Sequence, residues 1–371
     1  MFYYYIFTII VSWLYFFNKK IGYRAILISV PVFLFLLPST GFDYDFYKES
    51  YDNATFVNQF PFFESISSLT AEPLYVWYSS AISVISQLDF PFFLALNFLI
   101  CSAIILYALN KSGERRDIKY YLFLFLMPIV VPTIFYFSPR SSISFCFVFL
   151  GFFTIFFNKK FLLGLFFLFI GFSFHTQFLL ISVYLILLYA LSLKAEFYTK
   201  SRIIIVNFVI ALFLFVFLYF LSFFEKIIAT VFSFLPSASV AVSKLHYVSG
   251  EDNSSSSFRP TSLLSIIIYP IFLMFFVKKI DFKSTTIDKT VLFGLVGIVF
   301  FGMVVNLAFI GDPHVAGRLS RFSDYFCMGF LIPYTLYLNK QYLTIKFIAI
   351  LMCALSPFLF KSLYVGAFEL F

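Results

Sequence analysis

Long apolar runs recur along the whole chain, and short polar segments separate them. A helix needs about 20 predominantly apolar residues to cross the ~30 Å hydrocarbon core of a bilayer. The runs therefore predict an all-α polytopic integral membrane protein with about twelve transmembrane helices, forming a single membrane domain over residues 1–371. The predicted crossings lie at about 2–17, 23–38, 91–109, 119–137, 141–157, 161–174, 177–193, 203–222, 261–277, 290–310, 322–338 and 344–360.

Two of the segments between crossings are long. Residues 39–90 are acidic and rich in tyrosine and phenylalanine, and residues 223–260 contain a polar, serine-rich run. We predict both to be extracytoplasmic loops. Within the first, the stretch 74–88 is less apolar than the crossings and carries several serines, which favours an interfacial or re-entrant helix. An additional crossing there would scramble the sides assigned to all later loops.

The composition excludes a water-soluble protein. Hydrophobic residues make up 62% of the chain and charged residues only 12%, against about 45–50% and about 25% in average soluble domains. The first apolar run begins at Phe2 with no basic segment before it. We therefore expect a membrane span at that end rather than a cleaved signal peptide.

The basic residues predict the orientation. The loops after the odd-numbered crossings hold 18 of the 26 lysines and arginines but only 5 of the 18 acidic residues. Loops enriched in Lys and Arg stay in the cytoplasm, so both termini are expected in the periplasm. Because this asymmetry accounts for the net charge of +8, the charge gives no reason to expect nucleic acid as a partner.

The sequence lacks the motifs of several kinds of chemistry. The four cysteines lie inside apolar runs, far apart in sequence, and no Cys-x-x-Cys or Cys/His cluster occurs, so we expect no metal and no cofactor. The chain also has no Walker motif, which argues against transport driven by ATP within this chain.

Three arginines lie at the predicted outer ends of crossings, namely Arg140, Arg318 and Arg321. An arginine at membrane depth costs about 2.5–3.5 kcal/mol on insertion scales, so it is rarely placed there without a partner. The planar guanidinium matches phosphate oxygens, and three together favour a pyrophosphate clamp. The alternative is an interfacial arginine that snorkels to lipid headgroups.

Other candidate residues are a histidine and three acids on the same predicted side. His175 interrupts an apolar stretch and is either structural or a base that accepts a proton from a sugar hydroxyl. Asp43, Asp45 and Glu72 either bind or activate sugar hydroxyls, hold a divalent ion, or belong to a solvated acidic loop. Neighbouring aromatic residues such as Tyr47 suit stacking against sugar rings.

Short motifs follow one another in a fixed order between about 39 and 330. They are Gly41-Phe42-Asp43-Tyr44-Asp45-Phe46-Tyr47, Glu72-Pro73-Leu74-Tyr75, Arg140 followed by Asn158-Lys159-Lys160, Phe174-His175, and Arg321 through Tyr325-Phe326. This ordered set resembles the Wzy/EpsG group of polysaccharide polymerases. Ser141 departs from the usual Gln after the first arginine, and Phe42 stands where Thr is common.

The resemblance implies an O-antigen or surface-polysaccharide polymerase in the bacterial inner membrane. Its substrates would be undecaprenyl-pyrophosphate-linked oligosaccharides, joined on the periplasmic face, with membrane lipid and a chain-length regulator as partners. The catalytic residues expected under this reading are Arg140, His175, Arg321 and Asp43. The expected substrate-binding residues are Arg318, Asp45, Tyr47, Glu72 and Tyr325.

Three other functions remain open at this point. A flippase or exporter of the same lipid-linked unit should carry charge along a path through the membrane, whereas these charges lie at one face. An O-antigen ligase also uses outer-face Arg and His, so the sequence separates it poorly from a polymerase. A purely structural subunit would leave the arginine group unexplained.

Overall fold

The computed structural model describes most of the chain as helix. The described residues are 2–36, 42–52, 73–111, 138–232, 260–280, 288–310 and 313–338, with the isolated residues 135, 344, 347, 348 and 351. Every regular element in these ranges is helical, which confirms the predicted all-α class. The chain divides into two compact units, Met1–Ile186 with Met328–Phe371, and Leu187–Cys327.

The described α-helices vary widely in length. They are α1 (Phe2–Phe17), α2 (Lys19–Leu36), α3 (Phe42–Asp52), α4 (Pro73–Ser86), α5 (Phe90–Lys111), α6 (Pro139–Phe152), α7 (Phe161–Phe174), α8 (Leu179–Ser192), α9 (Lys200–Phe232), α10 (Pro260–Leu263), α11 (Tyr269–Lys279), α12 (Lys289–Ala308), α13 (Pro313–Leu319), α14 (Arg321–Phe326) and α15 (Ile332–Leu338). Additional turns are π-helical at Phe153–Phe157, Leu264–Ile268 and Cys327–Leu331, and 3₁₀ at Thr176–Phe178 and Ala195–Phe197.

Four described helices are long and apolar enough to cross a membrane. They are α5, α6 with its π-helical extension, the first two thirds of α9, and α12, and five shorter apolar helices accompany them. The predicted count of about twelve crossings is not confirmed, because 119–137 and 344–360 lie almost entirely outside the described residues. Helix α4 has 14 residues, or about 21 Å, which is shorter than a bilayer core.

Polar side chains define the starts of two helices, which differ from the starts predicted from hydropathy. Asn18 accepts a hydrogen bond from the N–H of Lys20 at 3.0 Å, so α2 begins at Lys19, four residues before the predicted crossing. Asp288 likewise accepts from the N–H of Val291 at 2.8 Å and starts α12. Such caps satisfy backbone donors that have no partner within the helix.

Helix α9 is longer than the crossing predicted at 203–222. It continues to Phe232, ten residues into the segment 223–260 that the sequence assigns to an extracytoplasmic loop. Residues 233–259 lie outside the described part. Helical structure therefore extends beyond the apolar run that predicts the crossing.

Glycines let α6 and α7 approach closely in the first unit. A Cβ on Gly164 would lie 2.1 Å from a side-chain carbon of Ile155 and 3.2 Å from the carbonyl oxygen of Gly151. Ser144 Oγ donates to the carbonyl oxygen of Gly171 at 2.5 Å. Small residues and interhelical hydrogen bonds are common where membrane helices pack backbone to backbone.

In the second unit, α12 is buried along most of its length. A Cβ on its Gly297 would lie 2.2 Å from Leu188 of α8 and 3.0 Å from the Asn207 oxygen of α9. At the start of α9, Lys200 Nζ donates to the carbonyl oxygens of Val277, at 3.1 Å, and Ile280. Two ends predicted to face the cytoplasm, the start of α9 and the end of α11, therefore meet.

Candidate functional site

Arg140 lies in the first turn of α6, directly after Ser138 and Pro139. Pro139 occupies the first helical position. Proline is favoured there because the N–H that it lacks would have no partner within the helix. The Ser138 and Ser141 hydroxyls hydrogen-bond to each other at 2.8 Å. The backbone N–H groups of a first helical turn carry partial positive charge, so the guanidinium and the helix end both favour an anion at this point.

A buried asparagine fixes the start of α6. The Asn97 carboxamide of α5 donates to Ser142 Oγ at 2.7 Å and to the Pro139 carbonyl oxygen at 3.4 Å. Its oxygen accepts from the Tyr78 hydroxyl of α4 at 3.1 Å. One side chain thus ties three helices together next to Arg140.

A pair of tyrosines from the first two motifs lies on one side of Arg140. The guanidinium carbon lies 5.4 Å from the centroid of the Tyr47 ring, within the range of a cation–π interaction. Tyr47 in turn packs edge-on against Tyr75, with centroids 5.7 Å apart, and both tyrosines are buried. The structure therefore brings together residues of three motifs that are far apart in sequence.

His175 lies between α7 and the 3₁₀ turn that precedes α8. Its backbone is extended, with φ −156° and ψ 113°, and its side chain is buried, 6.0 Å from the Phe178 ring. The preceding Phe174 stacks on Phe147 at 5.8 Å and meets Tyr78 edge-on at 5.6 Å. The Phe-His motif is thereby linked through Tyr78 to the Asn97 network.

The three candidate acids of the 39–90 segment are described only in part. Asp43 and Asp45 lie on α3, and Asp43 comes one helical turn before Tyr47, but their side chains are outside the described part. Glu72 immediately precedes α4 and is itself outside the described residues. Their roles stay predictions.

The remaining predicted residues belong to the second unit. Arg318 is in the last turn of α13 and Arg321 begins α14. Both side chains are partly exposed, whereas Tyr325 is buried. These three residues occupy a short stretch at the start of the predicted crossing 322–338, and their roles in substrate binding also stay predictions.

Sequence reasoning missed Asp324, which shares α14 with Arg321. Its buried carboxylate accepts hydrogen bonds from Ser320 Oγ at 2.7 Å and from Ser265 Oγ. The Tyr269 hydroxyl donates to its backbone oxygen at 3.3 Å. The sequence does contain a signal for these residues, because Asp324 is a charged residue and Asn97 an amide inside apolar runs. Polar groups in such runs need partners.

The described residues contain no group of three or more His, Cys, Asp or Glu side chains placed to hold a metal ion. Cys101, Cys146 and Cys327 are unbridged and buried. The described groups at Arg140 are its guanidinium, the N-terminus of α6 and the Tyr47 ring.

The apolar helices and this polar site define a membrane-embedded, all-helical protein. Residues 23–371 match the EpsG family, so the chain belongs to the EpsG family. The match confirms the resemblance found in the motifs and indicates a membrane protein of the polysaccharide-polymerase type. Comparisons with curated proteins and with solved structures give no significant match.

Proposed function

We propose that this protein is a membrane glycosyltransferase that polymerises O antigen or a related surface polysaccharide. It would act on the periplasmic face of the bacterial inner membrane, with both termini in the periplasm. The observation that carries the proposal is the match to the EpsG family across residues 23–371. The cluster of motif residues around Arg140 supports it, because it provides a cationic and aromatic site in a membrane helix bundle.

The proposed reaction uses a donor that carries its own leaving group, since the periplasm has no nucleotide sugars. The growing glycan is linked through its anomeric carbon to undecaprenyl pyrophosphate. A hydroxyl oxygen of a lipid-linked repeat unit forms a bond to that carbon, and the bond from the carbon to the pyrophosphate oxygen breaks. The hydroxyl proton passes to a base, and undecaprenyl pyrophosphate leaves with the bonding electron pair.

Arg140, Arg318 and Arg321 would hold the pyrophosphate in this proposal. Charge develops on the leaving phosphate oxygen as the glycosidic bond breaks, and fixed cationic donors stabilise it. The position of Arg140 in the first turn of α6 supports this role, because helix N-termini are favourable sites for phosphate groups. Tyr47, stacked beneath the guanidinium, would orient Arg140 and contact a sugar ring.

His175 would act as the base that accepts the proton, or one of Asp43, Asp45 and Glu72 would do so. The burial of His175 supports a role in a site from which water is excluded. Tyr325 and the remaining acids would contact the sugars. Membrane lipid surrounds the tail of the substrate, and a chain-length regulator is proposed as a protein partner.

The test is a gel of surface polysaccharide from a deletion strain complemented with variants. Arg140→Ala should reduce a long ladder to core plus a single repeat, because the pyrophosphate loses its cationic donor. Arg202→Ala is the matched control, since Arg202 also lies over a tyrosine, Tyr198, at 4.9 Å, but in the first turn of α9, at an end predicted to be cytoplasmic. It should keep the full ladder.

The same gel separates the alternatives. A deletion strain with one attached repeat supports a polymerase, whereas bare core alone indicates a flippase or a ligase. A wild-type ladder in the Arg140→Ala strain, with the variant present in the membrane, would refute the role proposed for Arg140.

A further inference from the structure

The helix break between α7 and α8 carries two polar side chains, the buried His175 and Gln177. Gln177 lies two residues later, in the 3₁₀ turn Thr176–Phe178 that leads into α8. Irregular backbone at membrane depth is tolerated where it is buried in protein or lines a polar cavity. The break is therefore a position where polar side chains can meet a ligand.

The Gln177 side chain has an acceptor without a partner. Its Oε1 atom is buried, and the described residues provide it with no hydrogen-bond donor. A buried acceptor without a donor is costly, since it gives up water without compensation. Where such an acceptor lies at a break between helices, a ligand hydroxyl can supply the missing donor.

Buried asparagines in the described helices make hydrogen bonds to the protein. Asn97 bonds at both ends of its carboxamide. Asn207 and Asn306 each donate to the carbonyl oxygen four residues earlier, at 2.9 Å in both cases. The Asn207 oxygen, like that of Gln177, has no partner among the described residues, but Asn207 lies inside α9, whereas Gln177 lies at the break between α7 and α8.

We propose that Gln177 is a substrate-binding residue that accepts a hydrogen bond from a sugar hydroxyl of the lipid-linked oligosaccharide. The inference rests on the proposed polymerase function and adds a specificity residue to it. An acceptor oxygen cannot bind the pyrophosphate, whose oxygens are acceptors too, or the polyprenyl tail, which has no donor. Of the three parts of the substrate, the sugar is the one that carries suitable donors.

Gln177 is close in sequence to the proposed base. His175 is the proposed base, and Gln177 follows it by two residues at the entrance to α8. A sugar held by Gln177 would present its neighbouring hydroxyls towards the base. A site that hydrogen-bonds a substrate hydroxyl discriminates strongly against sugars that lack it, so Gln177 contributes to repeat-unit selection.

The test replaces Gln177 with methionine, which has a similar length and no hydrogen-bonding oxygen. Because Gln177→Met removes an unsatisfied buried acceptor, its melting temperature in detergent should equal or exceed that of the wild type. Its polymerisation rate on subsaturating lipid-linked repeat unit, purified from the deletion strain, should fall about ten-fold.

Ser182→Ala is the matched control. Ser182 Oγ is also buried without a described donor or acceptor partner, but it lies inside α8, beyond the break. Its removal should also leave the melting temperature equal or higher, with polymerisation unchanged. A loss of activity specific to Gln177 therefore separates ligand binding from a general effect of deleting buried polar groups.

The outcomes are distinct. A stable Gln177→Met protein with wild-type polymerisation would overturn this inference while leaving the polymerase function in place. A Gln177→Met protein that loses both stability and activity would also overturn it, because Gln177 would then be structural. If the wild-type protein itself makes no polymer, the proposed function fails and the inference fails with it.

Discussion

At the scale of single residues, the polar side chains in the apolar helices fall into two groups. Asn97 has partners on two neighbouring helices, and Asp324 has Ser265 from another element and Ser320 from the start of its own helix. These partners match the donors and acceptors of the two side chains. Gln177 lacks such partners among the described residues. Polar groups with hydrogen-bond partners hold helices in position, because removing one group leaves its partners buried without a hydrogen bond. A buried group without a partner is the better candidate for ligand binding.

Asp324→Ala should destabilise the protein by about 2 kcal/mol or more, because two serine hydroxyls lose their acceptor in a buried place. Thermal melting in detergent would measure the change. Asp52→Ala is the control, since Asp52 is exposed and pairs with Lys48 at 2.7 Å on the surface of α3. Such pairs contribute less than about 1 kcal/mol, so equal melting temperatures for both variants would contradict the prediction.

At the scale of elements, the contact between α6 and α7 determines where Arg140 and His175 stand in the first unit. Arg140 is in the first turn of α6, and His175 follows the last residue of α7. The two helices approach through Gly151, Gly164 and Gly171, whose missing side chains leave room for the opposite backbone. A bulkier residue here must push the helices apart or displace its neighbours.

Gly164→Val should lower stability by about 1–3 kcal/mol through overpacking against Ile155. The propensity gained by removing a helical glycine, about 0.5–1 kcal/mol, is smaller. Melting temperature and yield from the membrane would measure the effect. Leu162→Ala changes a side chain of the same helix that is 80% exposed and should leave both unchanged, so a loss as large as that of Gly164→Val would argue against tight packing as the cause.

At the scale of the whole molecule, the orientation rests on the distribution of basic residues. The contact of Lys200 with the carbonyl oxygens of Val277 and Ile280 brings together two segments that the positive-inside rule places on one side. The contact agrees with the number of crossings predicted between the two segments. It is compatible with either side of the membrane. Chemical labelling resolves that point.

Single cysteines introduced at exposed positions should report the sides. Glu49→Cys on α3 should react with a membrane-impermeant maleimide in intact spheroplasts. Lys160→Cys, between α6 and α7, should react only after permeabilisation, because its loop is predicted to be cytoplasmic. The unaltered protein provides the background, with Cys101, Cys146 and Cys327 buried. The reverse labelling pattern would place the proposed site on the cytoplasmic face and remove the argument for a periplasmic polymerase.

The predictions from sequence differ in reliability for physical reasons. The crossings at 2–17 and 161–174 coincide with α1 and α7, because an apolar run within a membrane has few alternatives to helix. The start of α2 and the end of α9 do not coincide with the predicted boundaries. Helices extend into polar ends when a cap such as Asn18 satisfies their first N–H groups, and hydropathy does not detect this.

The sequence by itself determined the membrane class, the helical fold and the family. These follow from apolar runs, composition and motif order, each of which is local along the chain. The tertiary structure alone decided that Tyr47 contacts both Tyr75 and Arg140, that Asn97 anchors α6, and that Asp324 accepts a hydrogen bond from Ser265. Such contacts join residues far apart in sequence, and they depend on side-chain packing between helices rather than on average hydropathy.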